Sequence, residues 1–324
     1  MASDKPLLYV SRLLPDPVMA IIRDRFSLVQ DPLDSAPAAS VIQDGLRQAD
    51  AAIVTLTDRI DADTIDRAPR LKVLANYAVG YNNIDLLAAN RHGLIVTNTP
   101  DVLTDATADL TWTLLLATAR RVVEGDQFVR SGRWTGWAPT QLLGTAVSGK
   151  TLGIIGMGRI GQAVARRAAG FDMKVLYHVR RAAVPSFDEL HWERRTLSEL
   201  LSEADFVTIH VPLTAETQHL IGTHELTQMR RTAILINTAR GPIVDEIALA
   251  AALRNGTIAG AGLDVFEREP TVHPDLVSLQ QVVLLPHLGS ATLTTRIEMG
   301  MICLKNIDAV LGGSPAPNQV GRNA

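Results

Sequence analysis

The chain has 324 residues, of which 47% are hydrophobic and only 4% aromatic, with a formal net charge of -3 and a pI near 6.2. That length predicts two domains, the aliphatic composition predicts an α/β core of parallel strands flanked by helices, and the slight acidity argues against a nucleic-acid partner. The single cysteine, Cys303, excludes an intramolecular disulfide and a cysteine-based metal cluster, and its apolar neighbourhood MGMICLKNI reads as a packed thiol.

The opening residues MASDKPLLYV lack the charged-then-apolar pattern of a signal peptide, so a cytoplasmic chain is expected. Leu7–Val10 reads as a strand and Asp16–Asp24 as a helix. Ala51–Thr55 and Leu71–Asn76 read as strands, Ile84–His92 as a helix stopped by Gly93, and Leu94–Thr97 as another strand. This half has no phosphate fingerprint. A long helix signal then runs from Val102 to about Arg130, following Pro100 and opened by acidic Asp101 and Asp105. A helix of that length predicts a bridge between domains or partners. Gly132 to Gly149 reads as a loop and carries Trp134 and Trp137. The second series places six parallel strands at 152–155, 173–177, 205–210, 232–237, 259–265 and 281–285. Helices alternate with them, notably Glu246–Arg254, ended by Asn255-Gly256. Ala291–Leu311 reads as a helix that returns to close the first domain, and the tail GGSPAPNQVGRNA as frayed. The longest apolar runs, such as TWTLLLATA, are too short to span a bilayer, so no membrane partner is expected.

The most informative motif lies within TLGIIGMGRIGQAVARRAAGFDMKVLYH, where Gly156, Gly158 and Gly161 form G-x-G-x-x-G. A buried strand, Leu152 to Ile155, leads into it, a helix, Gln162 to Ala169, follows, and Met173 to Tyr177 reads as the next strand. That strand–turn–helix–strand context is the one a dinucleotide site needs. The first glycine allows a tight turn, the second lets backbone approach a pyrophosphate, and the third lets helix pack on strand. The helix start then offers N–H groups and partial positive charge to the phosphates.

Three later segments put polar residues just past apolar strands: INTARGPIVDE, AGLDVFEREP and LLPHLGSAT. Ligands bind at the carboxyl ends of strands in open α/β sheets, so Arg240, Asp264, Glu269 and His287 can converge on the nicotinamide end of a cofactor. Hydride transfer to a 2-keto acid asks for these residue types. A forked guanidinium, Arg240, can hold carboxylate and carbonyl together. His287 can donate a proton to the carbonyl oxygen, and Glu269 can bind the other ring nitrogen and favour the imidazolium. Reduction then weakens with rising pH once that imidazolium loses its proton. Asp264 can hold the nicotinamide carboxamide. Read singly, Arg240 could equally be a surface ion pair, Glu269 a turn residue before Pro270, and His287 a loop residue.

In order along the chain, LGIIGMGRIG, NTARGPIVDE, GLDVFEREP and PHLGSAT resemble the D-isomer-specific 2-hydroxyacid dehydrogenases. TPDVLTDATADL, ARRVVE and GRWTGWAP are similar to the glyoxylate/hydroxypyruvate reductase branch of that family. The resemblance implies two Rossmann-like or flavodoxin-like parallel-sheet domains with a cleft between them. Residues 1–99 plus 288–324 would form the substrate-binding (catalytic) domain, and 100–287 the dinucleotide-binding domain with a long dimerisation helix and loop. It implies the catalytic set Arg240, Glu269 and His287. It also implies that Ala78-Val79-Gly80, in NYAVGYNNID, bind the substrate carboxylate through backbone N–H groups, with Leu56 trimming the pocket. In a homodimer, Trp137 would reach the partner subunit's active site; the plainer alternative is that Trp134 and Trp137 only bury area at the dimer contact. Cofactor contacts are implied for Gly156, Gly158, Arg159, Ile160 and Gly161, and for His178, Val179, Arg180 and Arg181 at the end of the next strand. His210, Val211, Pro212 and Thr217 would continue the cofactor site, closed by Thr238, Ala239, Asp264 and Gly289.

NAD-specific sites place an acidic residue about 20 residues past the phosphate loop, where it accepts from the ribose hydroxyl. This chain has Tyr177-His178-Val179-Arg180-Arg181 there, with no carboxylate and two arginines. Charge-assisted bonds to a 2′-phosphate are worth roughly 1.5–3 kcal/mol each, about tenfold to a hundredfold in preference. NADP(H) is therefore expected, with NAD(H) weaker, for reduction of glyoxylate, hydroxypyruvate or 2-ketogluconate. The chain ends too soon for the regulatory domain that phosphoglycerate dehydrogenases often append, and formate dehydrogenases carry Gln where Glu269 stands. A dinucleotide-sensing binding protein, like the family's corepressor relative, is disfavoured by the lack of long disordered extensions or a basic patch. No metal is expected, because His273, His287 and Glu269 show no ligand spacing on one element.

Overall fold

The computed structural model describes residues 5–180 and 191–321. It divides into two compact units, one of residues 1–103 with 290–324 and one of residues 104–289. Among the described residues, no helix is long and apolar enough to cross a membrane.

The first unit runs β1 (Leu7–Val10), α1 (Asp16–Arg25), β2 (Ser27–Leu28), α2 (Ala39–Gln48), β3 (Ala51–Val54), α3 (Ala62–Asp66), β4 (Val73–Asn76), α4 (Leu86–Arg91) and β5 (Ile95–Thr97). All pairings are parallel, in the order β2-β1-β3-β4-β5. The AAIV and VLAN strands are buried throughout, as expected where helices cover both faces. The short helices α3 and α4 are started by Asp61 and Asp85, whose carboxylates accept from Thr64 N and Ala88 N. The expected closing helix, Leu293–Leu311, packs on β4 and against α1. Cys303 lies in it, 1% exposed, and burial pushes its thiol pKa up. The tail is not frayed as far as Gly321. Asn306 and Asn318 bond reciprocally through side chain and backbone, Asn98 N donates to Asn318 O, and Val320 N donates to Val96 O, so these groups tie the tail to β5.

The second unit begins with α5 (Thr104–Ala119) and α6 (Val122–Arg130). The sequence predicted one continuous helix here. Arg121 instead adopts a left-handed conformation, φ 53°, which breaks the i→i−4 ladder. Arg121 also pairs with Glu124, and Thr145 N takes the Ala119 carbonyl that continuation would have used. The chain then forms β6 (Thr151–Ile155), α7 (Arg159–Ala168), β7 (Lys174–His178), β8 (Glu193–Arg194), α8 (Leu197–Glu203), β9 (Phe206–Ile209), α9 (Thr223–Gln228), β10 (Ile234–Asn237), α10 (Glu246–Arg254), β11 (Gly260–Leu263), α11 (Pro274–Val277) and β12 (Val282–Leu284). These strands form a seven-stranded parallel sheet in the order β12-β11-β10-β9-β6-β7-β8. The seventh strand, the two-residue edge strand β8, was not predicted, because two residues carry no legible alternation. β9 and β7 flank β6 on opposite sides, which makes the β6–β9 boundary the point where the winding reverses. α5 packs on α7 and on β10 and β11. Trp112 of α5 stacks on Phe171 at 4.7 Å between ring centroids and donates its indole N–H to Val164 O.

Candidate active site

The turn from β6 into α7 gives each glycine a separate task. Gly156 has φ +100°, and a Cβ there would stand 2.7 Å from the His210 carbonyl carbon. A Cβ at Gly161 would stand 2.1 Å from Gly156 O, so only glycine lets α7 sit this close to the strand. At Gly158 nothing lies within 4 Å of that position, which leaves open space beside the backbone. No side chain caps α7, and its positive end, at Arg159 and Ile160, adjoins that space. Past β9, burial lowers the His210 pKa to about 3, so the ring is neutral. Its buried Nε2 has no partner among the described residues. A buried polar atom without a partner calls for one. The open cradle and this orphaned nitrogen fit a bound dinucleotide. Val211 and Pro212 follow, and Thr217 closes their loop by donating to Pro212 O at 2.7 Å.

The end of β7 carries His178, whose Nδ1 lies 3.2 Å from Arg195 O, and then Val179. Arg180 is exposed and lies 3.6 Å from Glu216. Arg181 lies outside the described residues.

Beyond β10, the Asn237 side chain braces the next turn, donating to Arg240 O at 2.9 Å and accepting from Ala239 N at 3.0 Å. Thr238 Oγ1 is 2.8 Å from Thr111 Oγ1 of α5. The Arg240 guanidinium donates to Ala239 O at 2.7 Å, and no other acceptor meets it among the described residues. Burial lowers its pKa, opposed by the Glu269 carboxylate. An enclosed cation with most of its N–H donors unused favours an anionic or carbonyl ligand.

Glu269 and His287, expected to pair, are brought together. Glu269 Oε2 lies 2.9 Å from His287 Nδ1, and each side chain is 24% exposed. Burial pushes the Glu269 carboxyl up, but the bond and charge of His287, the Phe266 N–H and Arg240 outweigh it and hold the pKa below the usual value. An ionised carboxylate only accepts, so Nδ1 carries the proton. The other ring nitrogen, Nε2, makes no hydrogen bond to a described residue.

His287 has φ 57°, and the turn that holds it rests on Asp264. His287 N donates to the Asp264 carbonyl, while Leu288 N and Gly289 N donate to its two carboxylate oxygens at 2.6 and 2.8 Å. Thr107 of α5 then donates to Gly289 O. Asp264 is 1% exposed, and burial raises its pKa to about 6 against those N–H bonds and the His287 charge. The sequence pointed this carboxylate toward the nicotinamide carboxamide. Its bracing of the His287 turn was missed, because a backbone partner 24 residues away leaves no local signal.

The Ala78-Val79-Gly80 segment of the first unit follows β4. The Ala78 N–H is already committed to Asn76 O at 2.8 Å. The Val79 and Gly80 N–H groups are unengaged among the described residues, and Gly80 is half-buried. Leu56, half-buried, sits in the turn after β3. Trp137 is 83% exposed in the loop after α6.

Residues 112–289 match the family described as D-isomer specific 2-hydroxyacid dehydrogenase, NAD binding domain. The chain is 49% identical to a glyoxylate reductase of Thermococcus gammatolerans over 322 residues, 98% of this chain and 96% of that one. A solved structure of a Thermus thermophilus protein superposes with a TM-score of 0.91 at 46% identity, covering 97% of this chain and all of that one. The NADPH-dependent glyoxylate/hydroxypyruvate reductase of Sinorhizobium meliloti, solved with NADP and malonate, gives a TM-score of 0.86 at 35% identity, covering 98% of this chain and 97% of that one. With this motif order, this pair of parallel sheets and near-full-length identity, the chain belongs to the D-isomer-specific 2-hydroxyacid dehydrogenases, a family of oxidoreductases.

Proposed function

We propose that the protein is an NADPH-dependent reductase of small 2-keto acids, chiefly glyoxylate and hydroxypyruvate, that yields D-2-hydroxy acids. The Glu269–His287 pair beside the underused guanidinium of Arg240 carries this reading, and the names of the relatives support the substrate class. The second unit holds the dinucleotide: Gly156, Gly158 and the start of α7 take the pyrophosphate, and the unpartnered His210 ring nitrogen lies along the same edge. A bound nicotinamide supplies the hydride. His287 gives a proton from Nε2 to the carbonyl oxygen, while Glu269 stabilises the imidazolium and fixes the ring. Arg240 meets the carbonyl and carboxylate oxygens with its free donors. In the first unit, the Val79 and Gly80 N–H groups take the carboxylate.

The lack of a carboxylate at the end of β7, together with Arg180, supports NADPH over NADH. A 2′-phosphate would compete with Glu216 for that arginine. Loss of NADPH absorbance with glyoxylate at micromolar enzyme tests the activity, and no turnover with any small keto acid would favour a sensing role. The ratio of catalytic efficiencies with the two cofactors tests the preference, and a ratio below one overturns it. Arg180→Ala raises the KM for NADPH selectively.

The homodimer reading rests on α6, which buries none of its residues and exposes Val122, Val123 and Val129. A cavity of about 780 Å³ lies against that helix, the loop at Leu142–Thr145 and β12. An amphipathic helix with its apolar side uncovered wants a partner, and a second copy would also bring in Trp137. Light scattering that returns the mass of a single chain would remove this part of the reading.

A further inference from the structure

We propose that Asn98 is a positioning residue for the substrate carboxylate, acting through the peptide that carries the Gly80 N–H. The proposal rests on the reading of Val79 and Gly80 as the carboxylate donors. A peptide group is planar and trans, so its C=O and N–H point in opposite directions. Anchoring the carbonyl of one residue therefore aims the N–H of the next.

Both relevant carbonyls are anchored. Asn98 Nδ2 donates to Val79 O at 2.8 Å, which turns the Gly80 N–H the other way. Thr99 N donates to Ala78 O at 3.0 Å and does the same for the Val79 N–H. Behind Asn98 stands the tail: its own N–H donates to Asn318 O, and Asn318 is held by Asn306, which is fully buried. On the other flank, Asn76 Nδ2 donates to Gly80 O at 2.8 Å, and Asn83 Nδ2 reaches Asn76 Oδ1, Thr55 O and Asp58 O. The Asp58 carboxylate, 2% exposed, accepts from Ser11 Oγ and Thr55 N. Neutral amides thus hold the loop from both sides. Of these, only Asn98 uses its side chain on a peptide whose N–H faces the substrate.

The experiment compares Asn98→Ala and the same-sized Asn98→Asp, neither of which can donate to Val79 O, with the full-length enzyme. The uncharged aldehyde methylglyoxal serves as the control substrate. In variants with native circular dichroism, KM for glyoxylate rises about tenfold or more. The kcat and the KM for NADPH stay within about threefold, and efficiency with methylglyoxal barely moves. An unchanged KM for glyoxylate in both folded variants overturns the role of Asn98. Equal losses on glyoxylate and methylglyoxal overturn instead the underlying reading, because the loop would then not be recognising a carboxylate. Should Asn98→Ala not fold, Asn98→Asp decides alone.

Discussion

The two units build their chemistry from opposite materials. In the proposed reaction the work of the second unit falls to charged side chains: Arg240, Glu269 and His287, with Asp264 buried beneath the histidine turn. In the first unit it would fall to backbone N–H groups, with Asn98 on the Val79 carbonyl and Asn76 and Asn83 holding the far side of the same loop. Moving a proton requires groups that change charge, and their pKa values answer to burial and to each other. Recognising a fixed anion requires only donors held still, and neutral amides hold them without adding charges that titrate. Changes to the Glu269–His287 pair should therefore appear in kcat and in pH profiles, and a change to the Asn98 amide in the KM for the acid.

The strongest test of that contrast removes the proposed proton donor. His287→Gln lowers kcat by about a hundredfold to ten-thousandfold, with the KM for NADPH nearly unchanged. A fall smaller than tenfold, measured by single-turnover reduction so that product release cannot mask it, would break the contrast at its centre.

A middle-sized effect comes from Asp264. Its folded pKa of about 6 stands above the ordinary aspartate value of 3.8, so the folded state holds this proton more tightly than the unfolded chain does. The wild-type protein therefore loses stability as pH rises from about 4 to about 6, and an asparagine cannot titrate. Asp264→Asn flattens that part of the Tm profile. It also lowers stability by about 1–3 kcal/mol, since an amide nitrogen then faces a backbone N–H. Parallel Tm profiles for the two proteins would show that this carboxylate does not titrate in the window.

The smallest effect sharpens the comparison at the surface. Glu216 and Arg180 are 63% and 64% exposed, and such pairs contribute little. Glu216→Gln lowers the KM for NADPH by about threefold at most and leaves that for NADH alone. Equal changes with both cofactors would mean that Arg180 does not meet the 2′-phosphate.

Much of the fold was legible in local pattern. The predicted strand Leu7–Val10 and helix Glu246–Arg254 keep their ends in the structure, because buried apolar runs and punctuating turn residues are short-range signals. The break at Arg121 was hidden, since arginine is a good helix former and only tertiary contacts favour its left-handed turn. The ordered tail was hidden for a related reason. GGSPAPNQVGRNA has the composition of a loose end, and what fastens it is a reciprocal asparagine pair with a buried residue twelve positions earlier.

The sequence by itself determined the α/β class, through an aliphatic composition and alternating strand and helix signals, and the phosphate turn, through spacing along one strand–turn–helix unit. Only the tertiary structure decided which groups meet: Glu269 with His287, Asp264 with the turn that follows β12, and Asn98 with the Val79 carbonyl. These contacts join residues 18 to 25 positions apart. Hydrogen bonds act over about 3 Å, so only the folding of separate strands side by side brings such partners within reach.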